Sequence, residues 1–414
     1  MSQKVIIVNR HYPPNPGITG ESAWDLAKYL IEKHQIEVHI VNIEGNDDGG
    51  GAKREPVGKL HTLQTLYDGK SKLLKQLAGF LDGFLLIRKA KSIDKNAAII
   101  VMTSPPLLPF WASMLLSNGT PPERKWALWS MDLFPEAFVA IGMIAEKNAI
   151  YQWFLKKTYQ NSPNKLIALG RKQAEVLEEK YLKYTPHPQP FSSKEKGVIT
   201  TSTPLLRGEG QGVRSILPCG VIFHQTYESQ LPAWRKADGK IYFGYCGNLN
   251  DAHNEQFLIE FIKAFNPEKH HLVLALYGKK AQNVLDFAKN YEGISILPNV
   301  PRSQLNFLDV HLVSLLTKYT HLMIPSKAVS AVAAGGAILF CGSQESDNWD
   351  MLQEAAWLIR EDADLGKQIR AYLGNLTTEE LAIKKQNAQK LNKDLQQNVL
   401  KAYEEIADFV AQVS

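Results

Sequence analysis

Short apolar runs alternate with longer helix-patterned segments along most of this 414-residue chain, and the pattern occurs in two successive series. Val5-Ile6-Ile7-Val8 marks a buried strand over residues 4–9, followed by a loop over 10–21, a helix over 22–33 and a strand over 37–42. Further strands are expected at 98–103, 126–131 and 165–169, each followed by a helical segment. Strands that are apolar throughout and separated by helices specify a parallel sheet covered on both faces. The second series opens near Lys240, with strands at 241–246, 271–277, 294–297, 309–316 and 337–341. Its helices are expected at 255–265, 281–290 and 326–334. The expected fold class is α/β: two doubly wound domains in tandem, facing a cleft. Ligands of such sheets bind where strand carboxyl ends meet helix N-termini.

A chain this long exceeds one ordinary core and suits two domains. They are placed at 1–220 and 221–395, with a terminal helix over 396–414 that ends a helical stretch beginning at Thr378. Residues 185–215 are rich in Pro, Gly, Ser and Thr without periodicity, and read as an exposed, poorly ordered insertion. Their wording resembles translated interspersed repeats of cyanobacterial genomes, which implies a passenger with no catalytic role.

Composition narrows the class further. Hydrophobic residues make up 44% and charged residues 21%, as in globular proteins rather than disordered or fibrous ones. A net charge of +5 permits an anionic partner without demanding one. The three cysteines, Cys219, Cys246 and Cys341, form no CxxC pair and read as small buried hydrophobes. Met1-Ser2-Gln3-Lys4 leads straight into the first strand, so no signal peptide is expected. No run reaches the ~20 apolar residues of a membrane span, and a cytoplasmic protein is expected. No HxxxH or clustered-carboxylate pattern argues for a metal, and no basic, aromatic-studded stripe argues for nucleic acid.

Four segments carry candidate chemistry. The loop Pro13-Pro14-Asn15-Pro16-Gly17-Ile18-Thr19-Gly20-Glu21-Ser22 lies between the first strand and helix, where Gly17 and Gly20 allow close backbone approach to an anion. It contains no GxGxxG, which disfavours a nicotinamide or flavin site. Asp132, at the end of a strand, either orients or deprotonates an acceptor hydroxyl or caps the following helix; both readings stand. In Gly244-Tyr245-Cys246-Gly247-Asn248-Leu249-Asn250-Asp251-Ala252-His253-Asn254 a strand ends at a glycine whose neighbouring amides can approach a diphosphate. In Met323-Ile324-Pro325-Ser326-Lys327 the amides after Pro325 open a helix, and Lys327 can neutralise a leaving diphosphate.

The Gly247 segment resembles the YSGNLG-AH signature of bacterial retaining glycosyltransferase family 4, and residues 323–340 resemble that family's VPSK…AAGRPVLF segment. The resemblance spans most of the chain outside the insertion and is densest over 242–342. It implies a GT-B fold of two Rossmann-like domains, acceptor side first and nucleotide-sugar donor side second. It implies transfer of a sugar, most simply from a UDP-sugar, with retention, to a hydroxyl of a glycan, lipid-linked sugar or small molecule. No cofactor is required beyond the nucleotide-sugar co-substrate.

By the same resemblance the donor side comprises Gly247, Asn248, His253, Gly278, Lys279, Val300, Pro325, Ser326, Lys327 and Glu345. Thr320 and His321 lie near the donor sugar; His11, Gly17 and Gly20 lie on the acceptor side; Asp132, His321 and Lys327 are the catalytic candidates. The chain departs from the family at three places. Paired glutamates are replaced by Leu322 and Ser330, an arginine by Gly336, and the basic phosphate residue by Asp251 or His253. These losses leave room for a catalytically degenerate donor-binding partner. A nucleotide-sugar epimerase of the same fold is the other alternative. The segment 70–91 carries Lys70, Lys72, Lys75, Arg88, Lys89 and Lys91 around an apolar stripe, and residues 151–157 are similar. Both suit peripheral contact with an anionic inner-membrane surface.

Overall fold

The computed structural model describes residues 3–15, 17–44, 54–67, 69, 71–116, 124–185, 214–220, 223 and 225–412. The chain divides into two compact units. One takes the described residues of Met1–Thr200, Arg207–Gly220 and Asn398–Ser414; the other takes those of Val221–Gln397. Among the described residues no helix is long and apolar enough to cross a membrane.

The strands of the first unit are β1 (Lys4–Val8), β2 (Glu37–Glu44), β3 (Lys59–Gln64), β4 (Ala98–Val101), β5 (Trp126–Trp129), β6 (Lys165–Ala168) and β7 (Arg214–Ile216). Its helices are α1 (Ile18–His34), α2 (Lys72–Ile93), α3 (Leu108–Leu116), α4 (Glu136–Ala140), α5 (Ala149–Tyr159) and α6 (Arg171–Tyr184). All strand pairs are parallel, in the order β3-β2-β1-β4-β5-β6-β7. β-Branched Val5, Ile6, Ile7 and Val8 are wholly buried, which places β1 at the centre.

Strand order reverses between β1 and β4, where Val5 pairs with Val38 on one side and Ala98 on the other. A doubly wound sheet opens its ligand crevice at this switch point. Most of the expected insertion, 186–213, lies outside the described residues. Its last members are not loop: Arg214 and Ser215 form edge strand β7, with Ser215 buried. The first helix also starts earlier than expected, at Ile18 instead of residue 22.

The second unit repeats the plan. Its strands are β8 (Ile241–Asn248), β9 (His270–Tyr277), β10 (Ile294–Ile296), β11 (Val310–Ser314), β12 (Ala337–Gly342) and β13 (Ala356–Arg360). Its helices are α7 (Glu255–Ala264), α8 (Ala281–Ala288), α9 (Ser326–Ala333), α10 (Asp347–Leu352), α11 (Leu365–Asn375) and α12 (Thr378–Ala411). The parallel order β10-β9-β8-β11-β12-β13 reverses between β8 and β11. Phe243, Phe257, Phe261, Leu272, Leu274 and Leu339 join one core. Burying each such side chain stabilises the fold by roughly 1.5–3 kcal/mol. Asn254 caps α7 by accepting from the Phe257 amide at 3.0 Å, which fixes where the loop after β8 ends.

From Asn398 onward α12 belongs to the first unit. There Glu404 accepts from the Tyr29 hydroxyl, and Tyr403, Ile406 and Val410 are buried.

Candidate functional site

Two glycines shape the carboxyl ends of β8 and β9. Gly247 and Gly278 hold φ of 122° and 102°, a region that favours glycine. Asn248 pairs with Tyr277, and the Leu249 amide donates to the Tyr277 carbonyl at 2.7 Å, so the two strand ends lie side by side. A Cβ on Gly247 would approach Lys327 Cε at 3.0 Å, and one on Gly278 would meet Asn248 Oδ1 at 2.1 Å. Glycine is therefore required twice by side chains of the site itself. Asn248 Oδ1 is buried without a hydrogen-bond partner among the described residues.

Lys327 enters from the first turn of α9. Its Nζ donates to the Asn248 carbonyl at 2.7 Å, approaches His253 Nε2 at 3.1 Å and lies 5.3 Å from the Tyr245 ring centre. Burial lowers its pKa to about 7, opposed by nearby Cys246. The buried His253 ring has Nδ1 2.6 Å from the Ser314 carbonyl. A carbonyl only accepts, so Nδ1 carries the hydrogen and Nε2 is left as the acceptor for Lys327. Burial, with the Lys327 charge second, lowers the His253 pKa to about 3, so the ring is neutral across the physiological range.

The start of α9 supplies further donors. Pro325 is its N-cap and offers no side-chain cap, and the first-turn amides at Ser326 and Lys327 have no intrahelical acceptor. Together with the helix dipole they form an anion-binding end. Just before it, Thr320 Oγ1 and His321 Nδ1 are buried without partners among the described residues. Unsatisfied buried polar atoms of this kind mark places a ligand can complete.

Other expected donor residues are arranged differently. Lys279 is exposed and paired with Asp251 at 2.9 Å. Its neighbour Lys280 reaches inward, donating to the His253 carbonyl at 2.8 Å. Lys280 and Ser314 are participants not singled out among the expected site residues, although both lie in segments that resemble the family's donor side. Val300 is buried beside Tyr242 and Leu308, and Glu345 is exposed after β12. At Gly336 a Cβ would lie 2.4 Å from the His311 ring, so the ring occupies the space that a side chain at 336 would enter. Burial lowers the His311 pKa to about 4.

In the first unit, His11, Gly17 and Gly20 come together. A Cβ on Gly20 would lie 2.8 Å from the His11 carbonyl, and one on Gly17 would lie 3.0 Å from His11 Cβ. The close approach these glycines permit is thus made by the chain's own His11. Asn9 holds the loop by donating to the His11 carbonyl at 2.7 Å. At the end of β5, the Met131 and Asp132 amides each donate to Thr103 Oγ1 at 3.0 Å. Helix α4 takes Pro135 as its N-cap without a side-chain bond, so Asp132 does not cap it. Burial raises the Asp132 pKa to about 6. A carboxylate shifted upward by desolvation is suited to accepting a proton near neutrality.

No protein-family model matches the chain, and no curated protein matches it. Solved structures do. Sucrose-phosphate synthase from Thermosynechococcus elongatus is similar with a TM-score of 0.65 at 12% identity, over 99% of this chain and 98% of that one. WaaG, a glycosyltransferase involved in lipopolysaccharide biosynthesis, gives 0.62 at 13% identity over 98% and 99%. Anabaena HepE, in complex with UDP and glucose, gives 0.59 at 11% identity over 99% and 100%. With two doubly wound parallel sheets of matching strand order, the chain has the GT-B glycosyltransferase fold.

Proposed function

We propose that the protein transfers a sugar from a nucleotide-sugar to a hydroxyl acceptor. The observation that carries this reading is the convergence of Gly247, Asn248, Lys327 and the α9 start at the strand ends of the second unit. In the reaction the bond from the anomeric carbon to the diphosphate breaks, and its electron pair leaves with the phosphate oxygen. The acceptor oxygen bonds to the anomeric carbon and gives up its proton. Lys327 and the first-turn amides would stabilise the departing charge. Retention, with the leaving phosphate taking the acceptor proton, is the version we favour, because the family resemblance implies it. Asp132 is the chain's own alternative proton acceptor. A UDP-sugar is the donor we favour on the same resemblance, and a polysaccharide, glycolipid or natural product the acceptor.

The test is thermal shift against UDP-, GDP-, ADP- and dTDP-sugars, for the native chain and Lys327→Ala. A shift with one nucleotide series that Lys327→Ala abolishes supports the reading; no shift with any of them sinks it. The missing carboxylates at Leu322 and Ser330 favour one rival, a donor-binding protein without turnover. Binding without sugar release or transfer on any acceptor would establish that rival. An epimerase would instead release an altered sugar nucleotide with no acceptor present.

We also propose peripheral membrane contact through the first unit. Leu74, Leu77, Leu81 and Arg88 recur on one exposed stripe of α2, with Leu77 55% exposed. Phe80 packs on Phe110, which packs on Trp153, itself 50% exposed on α5 beside exposed Ile150. Helices α2, α3 and α5 contain one acidic residue, Asp82, and it is buried accepting from Thr65. Lys75, Arg88 and Lys156 are exposed around the apolar stripe. Apolar anchors ringed by cations fit an anionic lipid surface.

A further inference from the structure

His253 is, with Asp251, one of the two positions where the family resemblance calls for a basic phosphate residue, yet its ring is uncharged. Its Nδ1 hydrogen is spent on the Ser314 carbonyl, 61 positions away in sequence. Its Nε2 lone pair faces the Lys327 ammonium at 3.1 Å. The Asn254 amide donates to Ser314 Oγ at 3.1 Å, which locks the loop carrying the ring onto the end of β11. From the other side, Lys280 donates to the His253 carbonyl at 2.8 Å. The lysine is thereby tethered at two points, the Asn248 carbonyl and the His253 ring, and neither is an anion.

Several groups face Lys327 among the described residues. They are Cys246 and the Tyr245 ring on β8, the Asn248 carbonyl, and His253, with Lys280 behind the histidine. No carboxylate forms an ion pair with Lys327 among the described residues; Asp251, two positions before His253, is occupied by Lys279. A lysine held in a desolvated place by neutral acceptors lacks a counter-charge until an anion arrives. A diphosphate brings that charge.

We propose that His253 is a positioning residue whose neutral ring holds Lys327 for the donor, and that a nucleoside diphosphate binds there together with one proton taken up by Lys327. This deepens the donor reading and rests on it. The sign follows from the lowered lysine pKa of about 7. Below that pH the lysine is already charged and binding takes up no proton. Above it the free protein holds a neutral amine, and binding must protonate it. Affinity should then fall by about tenfold per pH unit above pH 7, until the pKa of the bound state is passed. His253, with a pKa of about 3, supplies none of this dependence.

The experiment is calorimetric titration with UDP, GDP, ADP and dTDP at pH 8.5, where the terminal phosphate is already deprotonated, in two buffers of different ionisation enthalpy. The native chain should take up close to one proton per nucleotide bound. His253→Ala should weaken binding roughly tenfold at pH 7 and move the onset of the pH dependence to lower pH. His253→Gln, which restores an acceptor, should recover most of both. Binding without proton uptake, or equal losses in His253→Ala at every pH, overturns the inference while leaving the donor reading intact. A ligand-free arm separates the two ideas. Reductive methylation with labelled formaldehyde and a pH titration by NMR should place the Lys327 resonance near neutrality, and lower in His253→Ala, which loses an acceptor for the ammonium. If that holds while no nucleotide binds, the positioning role survives and the diphosphate claim falls. If Lys327 titrates like a surface lysine, the inference is wrong.

Discussion

A methyl group placed on Gly278 would lie 2.1 Å from Asn248 Oδ1, closer than any real contact. The two residues come from neighbouring strand ends and share one volume. Gly278→Ala should displace Asn248, and with it the carbonyl that holds Lys327. Its φ of 102° adds backbone strain of about 1–3 kcal/mol. We expect nucleotide affinity to drop at least tenfold, with a melting temperature lower by several degrees. The double variant with Asn248→Ala removes the clash but keeps the strain. It should recover part of the stability and none of the affinity. Isothermal titration and thermal melts read the two effects separately.

Lys327→Met makes a prediction about stability as well as binding. The lysine's folded pKa lies below its ordinary value, so between about pH 7 and 10 the folded chain binds fewer protons than the unfolded one. Stability therefore rises with pH across that window, and the cost of the buried charge is fully present below pH 7. At pH 6 the methionine variant should be more stable than the native chain by on the order of 1–3 kcal/mol, and the gap should close toward pH 10. The same variant should lose donor binding, and transfer should fall by about 10²–10³. Chemical denaturation at the two pH values checks the sign.

Asp132 behaves in the opposite sense. Its folded pKa, raised to about 6, means that the folded chain keeps a proton the unfolded chain gives up between about pH 4 and 6. That destabilising contribution grows as pH rises through this window and is complete above it. Asp132→Asn should stabilise the fold at pH 8 by on the order of 1–3 kcal/mol and leave it unchanged at pH 3.5. If Asp132 accepts the acceptor proton, the variant should also lose 10²-fold or more in kcat, with the acidic limb of the pH profile gone. Retained turnover would leave the leaving phosphate as the proton acceptor.

The central strands were legible because β1, β4, β5 and β6 are apolar at nearly every position. The strands that escaped reading lie at or near sheet edges. Lys59–Gln64 alternates weakly and is partly exposed, and Arg214–Ile216 has three residues beside an unpatterned tract. Gly247, Ser326 and Lys327 were visible because glycine and helix-start chemistry are local signals. The inward turn of Lys280 in place of Lys279 was not, since it depends on the φ of Gly278. The neutrality of His253 was hidden for another reason. It comes from burial and the Lys327 charge, while Ser314, brought close by the pairing of β8 with β11, fixes which ring nitrogen carries the hydrogen.

The stripe on α2 gives a prediction independent of donor chemistry. Leu77→Glu with Leu81→Glu changes exposed positions and should leave the melting temperature within a few degrees. The double variant should lose sedimentation with vesicles containing phosphatidylglycerol. The native chain should bind such vesicles at low salt, weaken as salt rises and ignore pure phosphatidylcholine. Equal binding to both lipids would remove the basic residues from the account; no binding to either would remove the surface altogether.

The departure at Gly336 can be tested by trying to reverse it. The family resemblance places an arginine there, but the His311 ring occupies the position, 2.4 Å from where a Cβ would sit. His311 lies on β11, whose register against β12 pairs it with Ile338, so the ring cannot retreat without moving the strand. Gly336→Arg alone should therefore destabilise the second unit by about 1–3 kcal/mol through overpacking, and should not improve donor affinity. His311→Ala opens the space at the expense of a cavity. The pair together should be more stable than the sum of the single changes predicts, by on the order of 1 kcal/mol, since one volume is traded for another. If the paired variant also binds nucleotide more tightly, the histidine has replaced a phosphate ligand. If affinity is unchanged, His311 fills space alone, and Lys327 with the α9 amides carries the diphosphate unaided.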